Sequence, residues 1–143
     1  SLVRGLRAAA DRAGTTPPPV AAWVVAAADP GPAELEQLRR GVVGYLAAPG
    51  YADMFRAEGF GDLVDFARSR PHPRELLAAV PAEAIAAVGL LGSRAGIGAK
   101  IGAYAAAGVD ELAIVPATSD ADPGGRKTLS ECRSAAVLFD NGV

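Results

Sequence analysis

Apolar positions along the chain alternate between a helical period and unbroken runs, and each change marks an element. Leu2, Leu6, Ala9, Ala10 and Ala13 recur on one helical face, and Gly14 stands where a helix stops, so residues 2–13 read as an amphipathic helix. The stretch Thr15-Thr16-Pro17-Pro18-Pro19 cannot extend it, because proline lacks an amide donor and fixes φ. Val20 to Ala28 (VAAWVVAAA) is apolar at every position and is closed by Asp29-Pro30-Gly31-Pro32. Such a run predicts a strand covered on both faces, as in a parallel sheet, with Trp23 most simply a core residue or, in a barrel, a lining residue able to meet a flat ring. Helical period returns over residues 33–47, with Leu35, Leu38, Val42, Val43 and Leu46 inward, until Pro49-Gly50 breaks it. Tyr51 to Ser69 predicts one or two helices interrupted around Gly59 and Gly61. Short helices follow over 74–79 and 82–88, each after a proline. Residues 96–107 form a stronger helix, with Ile97, Ile101, Tyr104 and Ala105 on one face and Gly108 as its stop. Glu111 to Val115 is a short second strand, and Leu129 to Phe139 a final helix.

The order is therefore helix, strand, several helices, strand, helix: α/β, mostly helical, with two strands of parallel type. Two strands do not make an independently stable parallel sheet, and a buried strand needs neighbours for its backbone groups. Either this is a helical domain with a small β element, or it is the end of a (β/α) protein. In the second case the strand ends at Ala28 and Pro116 lie on the face where such barrels build their sites.

Composition narrows the classes. A chain of 143 residues, half of them hydrophobic, suits one domain with a moderate core. The net charge of −2 is spread along the chain without a basic patch, which argues against a nucleic-acid partner. No apolar run reaches the roughly 18 residues of a membrane helix, and the first residues lack a signal-peptide pattern. A single cysteine, Cys132, gives no disulfide framework and suits a reducing cytoplasm. The only methionine is Met54, so residue 1 does not read as a translation start, and the expectation is a fragment or processed chain.

Candidate chemistry is sparse. From Asp120 the sequence nearly spells a calcium loop, with Asp120, Asp122, Gly125 and Glu131 at positions one, three, six and twelve. Gly124 at position five removes a ligand, Lys127 takes an apolar position, and a strand rather than a helix leads in. Turn chemistry over Asp122-Pro123-Gly124-Gly125 and a capping box over Thr128-Leu129-Ser130-Glu131 account for the same residues without a metal. Gly92 to Gly102 (GSRAGIGAKIG) imitates a phosphate loop, but Lys100 follows Ala99, and three residues separate Gly98 from Gly102, so neither fingerprint is met. A strand over 85–91 would keep a phosphate-binding turn open, although the start after Pro81 and Glu83 favours a helix. His72, the only histidine, lies between prolines as an exposed loop residue. Cys132 falls near a helix start, where the dipole can favour a thiolate, but no histidine pairs with it and it reads as a plain helix residue. No catalytic residue emerges, and no metal site is assigned.

Three segments carry a resemblance. Residues 49–64 (PGYADMFRAEGFGDLV) join a Pro-x-Tyr start to a Gly-Phe-Gly pivot. Residues 80–92 (VPAEAIAAVGLLG) run into a helix, and residues 104–116 give Tyr-x-x-Ala-Gly-Val-Asp-Glu followed by an apolar strand ending in proline. Together they resemble the C-terminal part of luciferase-like flavin oxidoreductases, in the actinobacterial branch that uses the deazaflavin F420. The resemblance implies the C-terminal portion of a (β/α)8 TIM barrel across residues 1–143, with 20–28 and 111–115 as its seventh and eighth strands. It also implies a cytoplasmic enzyme moving a hydride between F420 and a small organic substrate, a fragment inactive alone, and a homo-oligomer. By position on the rim, Asp29, Thr118 and Ser119 are its cofactor-binding candidates. Two alternatives stay open: an FMN-dependent monooxygenase of the same superfamily, and a small helical interaction domain without catalysis.

Overall fold

The computed structural model describes residues 2–140, with side chains for residues 3–136. In chain order the elements are α1 (Leu2–Ala13), β1 (Ala21–Ala28), α2 (Pro32–Val43), α3 (Tyr51–Ala57), α4 (Gly61–Arg68) and α5 (Pro73–Ala79). They continue with α6 (Ala82–Val88), β2 (Leu90–Gly92), α7 (Arg94–Ala106), β3 (Glu111–Pro116) and α8 (Arg126–Asp140). The strands form one parallel sheet in the order β2-β1-β3. β1 pairs with β3 from Ala21↔Glu111 to Ala26↔Pro116, and with β2 from Ala26↔Leu90 to Ala28↔Gly92.

β2 corrects the expectation of two strands. At three residues, directly after α6, it is too short to show a period of its own. It forms because Gly89 lets the chain turn tightly onto β1: a Cβ there would stand 2.7 Å from Leu91 and 3.0 Å from both the Ile85 carbonyl and Val25.

The central strand explains why its sequence has no polar alternation. Val24, Ala26 and Ala28 pack with Leu90, Ile97, Cys132 and Ala135 on the α7/α8 side. Ala27 and the half-buried Val25 face the opposite core, built from α2 to α6 around Leu38, Val42, Leu46, Phe55, Val64 and Ile85. Both faces are covered near the strand's C-terminal end, and alanines let the helices come close. The cover stops short of Trp23, which is 82% exposed and corrects its reading as a core residue. Its register partner is the small Ala113, and Val115 on the same face is 43% exposed.

Helix α1 forms over the expected residues, but its apolar face is only partly covered. Ala10 is buried, whereas Leu6 is 40% exposed and Ala9 and Ala13 are exposed; the side chain of Leu2 lies outside the described ones. The helix is tied down by Arg7, which donates to the Gly108 carbonyl at 3.0 Å and pairs with Asp110 at 3.4 Å. Asp110 in turn accepts from the Val20 amide at 2.8 Å, so the Gly-Val-Asp segment anchors the start of β1. Gly14 and Gly108 end their helices with φ of 65° and 92°, as expected of helix-stopping glycines. The Gly-Phe-Gly pivot joins α3 to α4, with the Phe60 amide closing back on the Phe55 carbonyl. Among the described residues, no helix is long and apolar enough to cross a membrane.

Candidate functional site

All three strands point their C-terminal ends to one edge of the sheet, where the loops after Ala28, Gly92 and Pro116 meet. β1 leads into α2 on one face and β3 leads into α8 on the other. The two loops therefore part between neighbouring strands, and the crevice they leave is where open α/β sheets place ligands.

Two of the three candidates are drawn together there by α2. The Gln37 amide clasps Thr118: its Oε1 accepts from the Thr118 amide at 2.7 Å and its Nε2 donates to Thr118 Oγ1 at 3.1 Å. One turn earlier, Glu34 accepts from the Gly31 amide at 3.1 Å. The Ser119 hydroxyl holds the Glu34 carboxyl below the usual carboxylate range, with backbone hydrogen bonds and the charge of Lys127 acting in the same direction. Ser119 also pairs with Asp122 through reciprocal backbone bonds of 3.2 and 3.0 Å. Asp29 is not part of this cluster. Its exposed side chain leaves a backbone at φ 45°, unusual for a residue with a Cβ, and its amide donates to the Gly92 carbonyl at 2.9 Å.

The loop that imitated a calcium site has other work. α8 begins at Arg126, three residues earlier than the pattern implied, and Asp122 caps it by accepting from the Arg126 and Lys127 amides at 2.8 and 2.9 Å. Gly125 turns at φ 61°, and a Cβ there would lie 2.5 Å from Pro116 Cβ. The capping box over 128–131 is thus corrected. Thr128 is buried and its Oγ1 accepts from the Ala28 amide at 3.0 Å, replacing the ladder partner that β3 no longer supplies beyond Pro116. Glu131 pairs with Arg94 through both carboxylate oxygens, joining α8 to the start of α7, and this pairing lowers its pKa.

The glycine-rich stretch does follow a strand and open a helix, but its lysine is committed elsewhere. Lys100 donates to the carbonyls of Ala86 and Ala87, the latter at 2.7 Å, and so caps the end of α6. Partial burial lowers its pKa. Ser93 caps α7 by accepting from the Gly96 amide at 3.3 Å. His72 is exposed and caps α5, its Nδ1 accepting from the Arg74 amide at 3.2 Å. Cys132 is buried at 4% exposure, and desolvation raises its pKa, which opposes a thiolate.

Among the described residues, no group of three or more His, Cys, Asp or Glu side chains could hold a metal. Two clefts lie away from the strand ends. One, of about 380 Å³, follows β3 between Ile101, Leu112, Ile114, Leu129 and Cys132; the other lies under Pro17–Pro19 beside Arg7 and Asp110. Sequence reasoning missed Glu34 and Gln37 and gave Thr128 a different role. The first two share one face of α2 at i, i+3, beginning two residues after the turn that ends β1, which is the legible signal for them. No family model, curated protein or solved structure matches the chain.

Proposed function

We propose that the chain is the C-terminal portion of a luciferase-like (β/α)8 oxidoreductase that moves a hydride between F420 and a small organic substrate. The observation that carries the reading is the sequence resemblance over residues 49–64 and 80–116. Two structural features support it. The β1–β3 pairing is the one adjacent seventh and eighth strands of a barrel would make. The candidate residues Thr118 and Ser119, with Glu34 and Gln37, occupy the C-terminal edge where barrels place their sites. β2 lies on the other side of β1, at the edge where a sixth strand would pair, so barrel closure requires β2 to yield that edge.

The residues present fit a deazaflavin only in part. The crevice has hydrogen-bonding groups for one side of a polar ring or its tail. The two clefts described above lie elsewhere, so neither encloses a cofactor at that edge. When bound, the cofactor supplies the hydride chemistry, while the protein orients it and excludes water. In this chain the Gln37–Thr118 clasp would fix the loop that borders it, with Ser119 beside Glu34. The reading predicts no F420 turnover by the isolated 143 residues. In a longer native chain, Thr118→Ala and Ser119→Ala should raise the KM for F420 by several-fold with folding retained. Measurable deazaflavin reduction by the isolated chain would count against it.

A further inference from the structure

The chain has three tyrosines, and two of them meet ring to ring on the surface of the helical layer. Tyr45 lies just past the end of α2 and Tyr51 opens α3, with Pro49-Gly50 turning the chain between them. Their ring centres are 4.7 Å apart at a tilt of 45°, close contact for an aromatic pair. Even so, Tyr45 is 50% and Tyr51 48% exposed. The chain neighbours explain why the pair is held. Leu46 and Ala52, each directly after a tyrosine, are fully buried in the α2–α6 core, which anchors both backbones that carry the rings. Gly50, at φ 82°, supplies the reversal between them, and the Ala52 amide closes it on the Ala48 carbonyl at 2.9 Å.

We propose that Tyr45 and Tyr51 form an oxidative cross-linking site, at which one-electron oxidation joins the two rings as dityrosine. Each phenol gives up one electron and one proton. The two phenoxyl radicals couple through the ring carbons ortho to oxygen, and the hydrogens displaced at the new bond return to the oxygens by tautomerisation. The oxidant is hydrogen peroxide acting through a haem peroxidase. One peroxide takes the two electrons and two protons and leaves as two waters.

The geometry suits that bond. Rings joined by a carbon–carbon bond of ~1.5 Å have centres roughly 4 Å apart, so coupling asks only for a small swing of two half-exposed side chains. Partners held in contact react as if highly concentrated, and coupling within the chain should therefore outrun coupling between chains in micromolar protein. The product staples the end of α2 to the start of α3. Tyr104, the third tyrosine, is partly buried on α7 and serves as an internal control.

The test is brief treatment of the 143-residue chain, at micromolar concentration, with a haem peroxidase and hydrogen peroxide. The expected product is a monomer lighter by two hydrogen atoms that shows the blue emission of dityrosine. Trypsin cuts after Arg40 and Arg56, so both tyrosines stay in one peptide, residues 41–56, and the loss should map there. Oxidation of Met54 in that peptide adds an oxygen instead, which its mass distinguishes. Tyr45→Phe and Tyr51→Phe keep a ring at each position and should each lower the yield at least tenfold, whereas Tyr104→Phe leaves it unchanged. The synthetic peptide 41–56, which has both tyrosines without the fold, should give at least about fivefold less of the internally linked form, because it lacks the held geometry. Absence of the two-hydrogen product, or its survival in either the Tyr45 or the Tyr51 variant, overturns the proposal. So does a predominance of cross-linked dimers, or an equal yield from the free peptide. None of these readouts involves F420, so this inference and the proposed activity fail independently.

Discussion

Thr128→Val is the sharpest test of how the sheet is finished. The substitution keeps the shape of a buried side chain, 6% exposed, and removes only the hydroxyl that accepts from the Ala28 amide at 3.0 Å. A buried donor left without an acceptor costs about 1–3 kcal/mol. For a domain of this size about 1 kcal/mol corresponds to roughly 4 °C in Tm, so the melting temperature should fall by about 4–12 °C. Thr128→Ser keeps the hydroxyl and deletes a methyl, at a cost of about 1 kcal/mol by analogy with other single-methyl deletions. Valine should therefore be the more damaging replacement, although serine makes the larger change in volume. Amide hydrogen exchange gives a local readout: protection of the Ala28 amide should drop more in the valine variant than the loss of global stability explains. The reasoning is wrong if Thr128→Val melts within a degree of wild type, or if serine is worse than valine.

Other substitutions probe neighbouring parts of the same edge. Asp122→Ala removes the cap of α8 and should cost about 1 kcal/mol, measurable by urea unfolding, with Asp122→Asn, which keeps one of the two acceptor oxygens, recovering only part of it. Gly125→Ala combines positive φ with a Cβ against Pro116 and should destabilise by more than about 2 kcal/mol, so an alanine variant of unchanged midpoint refutes that packing. Asp29→Gly, at φ 45°, relieves backbone strain but loosens the unfolded chain, and Tm should move by no more than about 3 °C. Folding lowers the pKa of Glu131, Glu34 and Asp65, in each case first through a side-chain hydrogen bond, from Arg94, Ser119 and Arg56 respectively. Lowered carboxylates add stability above their unfolded pKa and lose it as pH falls through the folded one, so stability should decline below about pH 4. Glu131→Gln should make that decline shallower. Cys132, 4% exposed beside the cleft along β3, should react with a bulky thiol reagent far more slowly than a free thiol, and labelling at the free-thiol rate would contradict its burial.

The sequence disclosed most where a residue's own backbone chemistry decided the outcome. Proline and glycine punctuation marked most of the helix boundaries, and Gly14 and Gly108 stop theirs through a positive φ. The unbroken apolar run of β1 announced a strand covered on both sides, and Ala26 and Ala27 are indeed buried against opposite cores. What stayed hidden depended on partners distant in the chain. β2 is a strand only because β1 offers an edge at Ala26 to Ala28. Thr128 and Glu131 sit at capping-box spacing, yet one is recruited by an amide 100 residues away and the other by Arg94. Trp23 reads as core in any one-dimensional pattern, and its exposure follows from where the α2–α6 layer ends. At the candidate site, strand position alone placed Thr118 and Ser119 at the C-terminal edge of the sheet. The Gln37 clasp on Thr118 and the approach of Glu34 to Ser119 needed the fold.

The central claim is that these residues complete a deazaflavin-dependent barrel. Its most direct test is to express the native gene's reading frame through Val143, including any coding sequence upstream of Ser1, and to titrate the product with F420. The account predicts a frame extending far enough upstream to supply the remaining strands, saturable F420 binding by the longer protein, and none by residues 1–143 alone. A frame that opens at Ser1, or a longer protein that binds neither F420 nor FMN, would contradict it.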